Sequence, residues 1–455
     1  MSTDRILQAV QPAHSEAELT PKRPSPGLTL TAALLGFALI CLDASVVNVA
    51  LPAIGSSLGA GMSGLQWVVD AYTLPFAALM LSTGAFADRT GASRAFALGT
   101  AVFTLASAAC GLAPNLPSLI GARVVQGGAA AVVLPASLAL VRQAYPEPKR
   151  RARAVATWAA GGSVAVALGP VAGGLLTTAW DWRGIFFVNL PVGALIVALL
   201  VRAPRSERRP SPLDLPGQAT AVVALTGLTF AVIEGGTAGW AALAVAVLAA
   251  MAFFRVETRS PHPVVPLGLF RNRTVAVTVA AGAAVSVAFY SVVFVFSLFF
   301  QQVQGLSALH AGLAFLPMTG LIAVTNVAAG KLAGRYGPRL PMLVGQALAV
   351  AGLLVLLYVD AGTSSVLVAA LLVPLALGCA LTVPPLTAAM MDAVPAERAG
   401  LAAGVLNAAR QVAGGLGIAV FGTLVSDGFT GGLRWSLVIS AGLLAVTAAA
   451  TSRLR

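Results

Sequence analysis

The feature that most limits the fold is a succession of apolar runs, each near twenty residues, from residue 28 to the end of the chain. A hydrocarbon core about 30 Å thick is crossed by a helix of about 20 apolar residues. Inside it the backbone must satisfy its own hydrogen bonds, so runs of this length are helices. Fourteen can be read: 28–51, 65–86, 95–113, 116–141, 154–177, 184–201, 216–234, 239–254, 275–301, 310–330, 340–358, 364–390, 399–425 and 433–451. Hydrophobic residues make up 58% of the chain and charged residues 10%, where a soluble domain has about 25% charged. The expected fold is an all-α polytopic membrane protein.

The placement of the charges tests that count. With the N-terminus in the cytoplasm, 24 of the 28 Lys and Arg fall in cytoplasmic segments and only Arg183 and Arg434 in outer loops. Arg123 and Arg410 lie inside spans. This is the positive-inside pattern, and it places both termini in the cytoplasm. The net charge of +12 is therefore topology and does not point to nucleic acid. Residues 1–27 are polar and proline-rich, lack the apolar core of a signal peptide, and read as a disordered cytoplasmic tail. Cys41, Cys110 and Cys379 lie in apolar runs without metal-ligand spacing and read as small hydrophobes.

The chain also repeats itself. Gly84, Ala87, Arg89 and Gly91 after the second run match Gly330, Ala333, Arg335 and Gly337 after the tenth, 246 residues apart, and Gly169 matches Gly415 at the same offset. The organisation expected is a six-helix bundle over 28–203, a two-helix insert with its cytoplasmic linkers over 204–273, and a second six-helix bundle over 274–455. Paired repeats with a site at their interface are how alternating-access carriers are built.

At these residues the chain resembles the major facilitator superfamily and, within it, the fourteen-span drug:proton antiporters, the methylenomycin A resistance group in particular. Leu42-Asp43-Ala-Ser-Val-Val-Asn48-Val-Ala-Leu-Pro52 is similar to their first-span motif, Gln66-Trp67-Val-Val-Asp70-Ala-Tyr72 to their second-span opening, and Gly84 to Arg94 to the loop shared across the superfamily. Arg123-Val-Val-Gln126-Gly127 resembles the fourth-span motif. Gly169-Pro170-Val-Ala-Gly173-Gly174 resembles the fifth-span antiporter signature. Trp182-Arg183, Asn189-Leu-Pro191 and Asn407-Ala-Ala-Arg410-Gln411 also fit. Phe86, Ala92-Ser93 and Ala165 depart from the usual pattern. The resemblance implies proton-driven efflux of a small organic molecule, an antibiotic or drug, across the bacterial cytoplasmic membrane. It implies the proton gradient as energy source, no cofactor, and a functional monomer. Export of an endogenous metabolite or sugar on the same fold is the alternative.

Physical chemistry gives the motif residues roles. A carboxylate inside a span costs roughly 2.5–3.5 kcal/mol on insertion scales, so Asp43 must face a cavity or a partner. There it is either the proton carrier or a packing residue hydrogen-bonded near Asn48. Asp43 is about nine residues and Arg123 about seven from the outer ends of their helices, depths that agree within a turn at about 1.5 Å per residue. Arg123 is thus the natural partner, with Gln126 on its face at i+3. Asp70 is either a second proton or cation group or a water-accessible interfacial residue. Asn48, Gln126, Tyr72, Asn407, Arg410 and Gln411 are expected to line the cavity. Gly84, Asp88, Arg89 and Gly91 form an inner gate, with Gly84 allowing close helix approach and Asp88 pairing with a basic group to hold it shut. Gly169, Gly173 and Gly174 give a small packing face, with Pro170 bending the helix. Enzyme chemistry would need clustered His, Asp or Cys near a membrane face, and direct use of ATP would need a Walker motif. The sequence has neither. Two-fold repeats with paired gate motifs also argue against a receptor or scaffold.

Overall fold

The structure, a computed structural model, describes residues 26–200, 214–261, 263–395, 398–426 and 428–454. The expected tail falls almost wholly outside these residues, as does the linker up to residue 213. The described chain is all helical. Its first part comprises α1 (Pro26–Leu58), α2 (Met62–Thr90), α3 (Ala92–Gly111), α4 (Leu116–Ala144), α5 (Pro148–Ala179), α6 (Gly184–Phe187) and α7 (Asn189–Leu200). Then come α8 (Leu215–Glu234) and α9 (Gly236–Glu257). The last part comprises α10 (Arg273–Leu298), α11 (Ala308–Ala314), α12 (Leu316–Tyr336), α13 (Arg339–Leu356), α14 (Ser365–Asp392), α15 (Ala399–Ser426) and α16 (Phe429–Thr451).

Among the described residues twelve helices are long and apolar enough to cross a membrane, or thirteen if α2, bent by 66° between Met80 and Ser82, counts as one span. Fourteen were expected. The shortfall is at 184–201, where the chain forms α6 and α7, together an apolar stretch of Gly184–Leu200 that is too short to qualify. Large apolar side chains face outward, among them Leu105, Trp240, Tyr358 and Val366. An apolar exterior of this extent marks a molecule solvated by lipid.

The helix starts follow from local chemistry. Asn115, Asp214, Asn272 and Ser307 each accept a hydrogen bond from a backbone N–H in the first turn of the following helix, satisfying donors that a helix leaves unpaired. The repeat is written in the backbone as well. Gly91 joins α2 to α3 at φ 89°, and Gly337, 246 residues on, joins α12 to α13 at φ 79°. Both turns need a conformation that costs glycine little and other residues much.

Packing between the two parts is reciprocal. The second span of the first part, α2, packs on α15, the fifth of the second; α5 packs on α11 and α12, which occupy the second position of the other part. This is the contact pattern of two repeats about a two-fold axis. The insert lies over one seam: α8 touches both α2 and α15. Gln218 on α8 donates to the carbonyl of Ala78 at 2.6 Å and accepts from Ser82. At the far end Trp67 donates to Glu234 at 2.8 Å. Glu234 is thus tied to α2.

Candidate functional site

One buried polar network and one large cavity stand out. The network centres on side chains from three helices, α1, α4 and α7, and is almost completely dry: Asp43 is 0% exposed, Arg123 1%, Gln126 0% and Asn189 1%. Arg123 Nη1 meets Asp43 Oδ2 at 2.6 Å and also donates to Gln126 Oε1 at 2.9 Å. Gln126 and Asn189 both donate to Asp43 Oδ1 at 2.8 Å. Asn189 is fixed in turn by Ser107, which donates to the carbonyl of Phe186. The Arg123 guanidinium lies 4.2 Å from the centre of the Tyr72 ring, and its Nε donates to the carbonyl of Val68. A charged pair this dry is sustained only where the remaining lone pairs and protons are also satisfied, and here Asp43 accepts three hydrogen bonds.

Asp70 is the opposite case. It is 0% exposed and, among the described residues, neither carboxylate oxygen has a hydrogen-bond partner. It sits at the α2–α15 seam, where a Cβ built on Gly415 would come 3.1 Å from Oδ1. This is full burial, not the water-accessible interface the sequence left open. Such a group is costly to hold.

The cavity has a volume of about 1540 Å³ and reaches from the centre of the bundle to the end that carries most of the basic loops. Its walls include Asn48, Asn326, Asn407, Arg410 and Gln411, with the Phe37–Trp158 pair stacked at 4.1 Å on one side and Phe289 and Tyr290 on the other. Gln126 and Tyr72, expected on the wall, lie behind it in the Asp43 network. Asn48 is on the wall and makes no bond to Asp43; its amide donates to the carbonyl of Ala44.

At the opposite end the two halves are closed against each other. Ser297 donates to the carbonyl of Asn48 at 2.7 Å, and Gln301, in the π-helical turn Phe299–Val303, donates to that of Val49 at 2.9 Å. Phe296, Phe299, Phe300 and Phe315 form an aromatic plug beside them. Gln66 reaches from α2 to the carbonyl of Ala419 on α15 at 2.5 Å.

The glycines of α5 serve these contacts. A Cβ at Gly169 would fall on Ser45 Oγ, one at Gly173 would lie 2.5 Å from the Val46 carbonyl, and one at Gly174 would strike the Ala308 carbonyl in the other half. The helix runs unbroken through Pro170, whose carbonyl occupies the space a Cβ on Gly312 would take. Gly84 lines the cavity, and a Cβ there would meet nothing within 4 Å in this conformation. Asp88 and Arg89 are exposed and, among the described residues, make no ion pair.

Two features were not picked out from the sequence. Asn189 was noted only as part of a motif, although a lone amide in an apolar run is itself a signal. Ser297 and Gln301 gave none, since small polar residues near helix ends are common.

The fold and this closed-at-one-end cavity define a membrane carrier built from two repeats. The match to the Major Facilitator Superfamily over residues 33–418 makes this specific: the chain belongs to that superfamily, whose members are transporters and not enzymes. It is 40% identical over 410 residues to the multidrug resistance protein Stp of Mycobacterium tuberculosis, covering 88% of this chain and 76% of that protein. It is 37% identical over 406 residues to the methylenomycin A resistance protein of Streptomyces coelicolor, covering 88% and 86%. To the tetracenomycin C resistance and export protein of Streptomyces glaucescens it is 32% identical over 436 residues, covering 94% and 80%. In fold it is similar to a D-xylose-proton symporter, with TM-score 0.70, 14% identity and coverage of 94% and 97%. It is likewise similar to an inward-facing bacterial homologue of the lysosomal transporter Spinster, with TM-score 0.67, 18% identity and coverage of 94% and 96%.

Proposed function

We propose that this protein exports a small organic molecule, an antibiotic or drug, from the bacterial cytoplasm in exchange for protons, by alternating access and as a monomer. The observation that carries the reading is the completed Asp43–Arg123–Gln126–Asn189 network just behind the wall of a large cavity. Relatives of this chain carry names of resistance and export proteins, which supports the choice of cargo.

In this reading the bent α2 and the short α6–α7 pair each serve as one span, giving fourteen, and the basic loops lie in the cytoplasm. The structure is then the inward-open state. Cargo enters beside Asp88 and reaches the centre. A proton arriving from outside neutralises Asp43, which weakens its hold on Arg123 and loosens the Asp43-centred contacts between α1, α4 and α7. Asp70, unpartnered at the α2–α15 seam, is the second proton-binding group. Closing the inner end would bring Asp88 to a basic group across the seam, while the bonds of Ser297 and Gln301 part at the other end.

The test is a resistance and efflux panel in a sensitive host, with a protonophore arm. Export that survives collapse of the proton gradient, or an absence of protection against every compound in the panel, refutes the reading.

A further inference from the structure

The cavity carries one charge at depth, and that charge is positive. Of the charged side chains on its wall, Asp88, Arg142 and Asp214 stand at or beside helix ends at the mouth. Arg410 stands alone, eleven residues into α15, about 17 Å from that helix's start at about 1.5 Å per residue. The carboxylates that share the membrane interior with it are not on the wall. Asp43 is held by Arg123, and Asp70 is enclosed at the seam.

Arg410 has no ion pair and no hydrogen bond among the described residues, and its Nε is buried without a partner. Its stem is seated deliberately: it crosses Gly282 of α10, where a Cβ would come within 3.2 Å of Cγ. Tyr290 of the same helix α10 and Cys379 of α14 lie close enough to interact electrostatically with its guanidinium. A charge at membrane depth faces a water-filled cavity or a partner, and a cation on a cavity wall is a functional-site signal. The flat guanidinium fork of donors matches a carboxylate or another planar oxyanion. Among the described residues the wall supplies no carboxylate at that depth, which leaves the place of one open to a ligand.

Resting on the reading as an exporter, we propose that the cargo is an acidic amphiphile, an apolar ring-bearing body with a carboxylate, phenolate or enolate, and that Arg410 receives the acidic group. The Phe37–Trp158 stack and Phe289 receive the rings. The same arrangement disfavours lipophilic cations, which would lie against an unneutralised positive charge. It also has an energetic consequence. An anion leaving a cell that is negative inside moves with the membrane potential, so potential and pH gradient both drive export.

A matched series tests this: 1-pyrenebutyrate, 1-pyrenebutanol and 1-pyrenebutylamine share one apolar body and differ in charge. Binding to purified wild type, Arg410→Gln and Arg410→Lys is followed by fluorescence, in gluconate and in chloride. The expected result is that wild type binds the acid at least tenfold more tightly than the amine. Arg410→Gln should abolish that preference without weakening the alcohol, and Arg410→Lys should keep part of it.

Three results overturn the inference: equal binding of acid and amine by wild type, equal weakening of all three probes by Arg410→Gln, or no binding of any probe. Loss of the acid's advantage in chloride would assign the guanidinium to small inorganic anions and overturn it as well. Because these are binding readouts, they separate from failure of the exporter reading. A protein that prefers the acid but shows no proton-driven efflux refutes the latter alone. One that pumps cationic dyes and ignores the acid refutes only this inference.

Discussion

Asp43→Asn is the most informative single change, because the structure fixes what it removes. The carboxylate accepts from Arg123 at 2.6 Å and from Gln126 and Asn189 at 2.8 Å each. An amide of the same shape has one acceptor oxygen. If that oxygen faces Gln126 and Asn189, its NH₂ is set against the guanidinium; flipped, the NH₂ confronts two amide donors. Either way Arg123, 1% exposed, keeps its charge and loses its counter-ion. Removing one partner of a buried pair costs about 3–5 kcal/mol, or roughly two to four powers of ten in the equilibrium between this state and its alternatives.

Export measured in inside-out vesicles, with the pH gradient followed by a quenched dye, should fall to background, and addition of cargo should release no protons. The double variant Asp43→Asn/Arg123→Gln removes both charges, so its melting temperature should recover toward wild type while transport stays absent. Export against a gradient by Asp43→Asn with unchanged pH dependence would refute the coupling role. Recovery of transport in the double variant would show that the pair is only structural.

Further expectations concern other parts of the molecule. Asp70→Asn removes a buried carboxylate without a partner and should raise the melting temperature while lowering export, the exchange of stability for activity typical of functional sites. Gly169→Ala should destabilise by about 1–3 kcal/mol because its methyl falls on Ser45, whereas Gly84→Ala meets open space in this state and should leave the melting temperature within a degree or two while slowing transport. Gln301→Ala loses the bond to the Val49 carbonyl, worth about 1 kcal/mol. Spin labels at Gly59 and Ser364 should then report a roughly fivefold larger population with that end open.

Much of the architecture was legible because it follows from solvent and charge. Apolar length gave the helices, and Gly91 and Gly337 marked a repeat that the backbone carries in its turns. The meeting of Asp43 and Arg123 was readable from depth alone. Azimuth was not. Helices that are apolar all round show no periodic face, so nothing distinguished Gln126 and Tyr72, behind the wall, from Asn48 and Asn407, on it. The break at Val188 also escaped, since Phe187 and Val188 continue an apolar run without a glycine or proline. The open space beside Gly84 was likewise not legible, since a glycine in a loop motif does not say which conformation the chain is in.

The 246-residue offset that aligns the two turns also aligns every span of one half with its counterpart in the other. Applied to the charged residues inside the spans of the two halves, it finds no charged counterparts: Asp43 corresponds to Phe289, Asp70 to Leu316, Arg123 to Ala369, and Arg410 to Val164. The two halves thus share their turns and span lengths, while the buried Asp43–Arg123 pair belongs to one and Arg410, with its unpartnered Nε, to the other. Two copies of either half alone would lack one of these two charged sites.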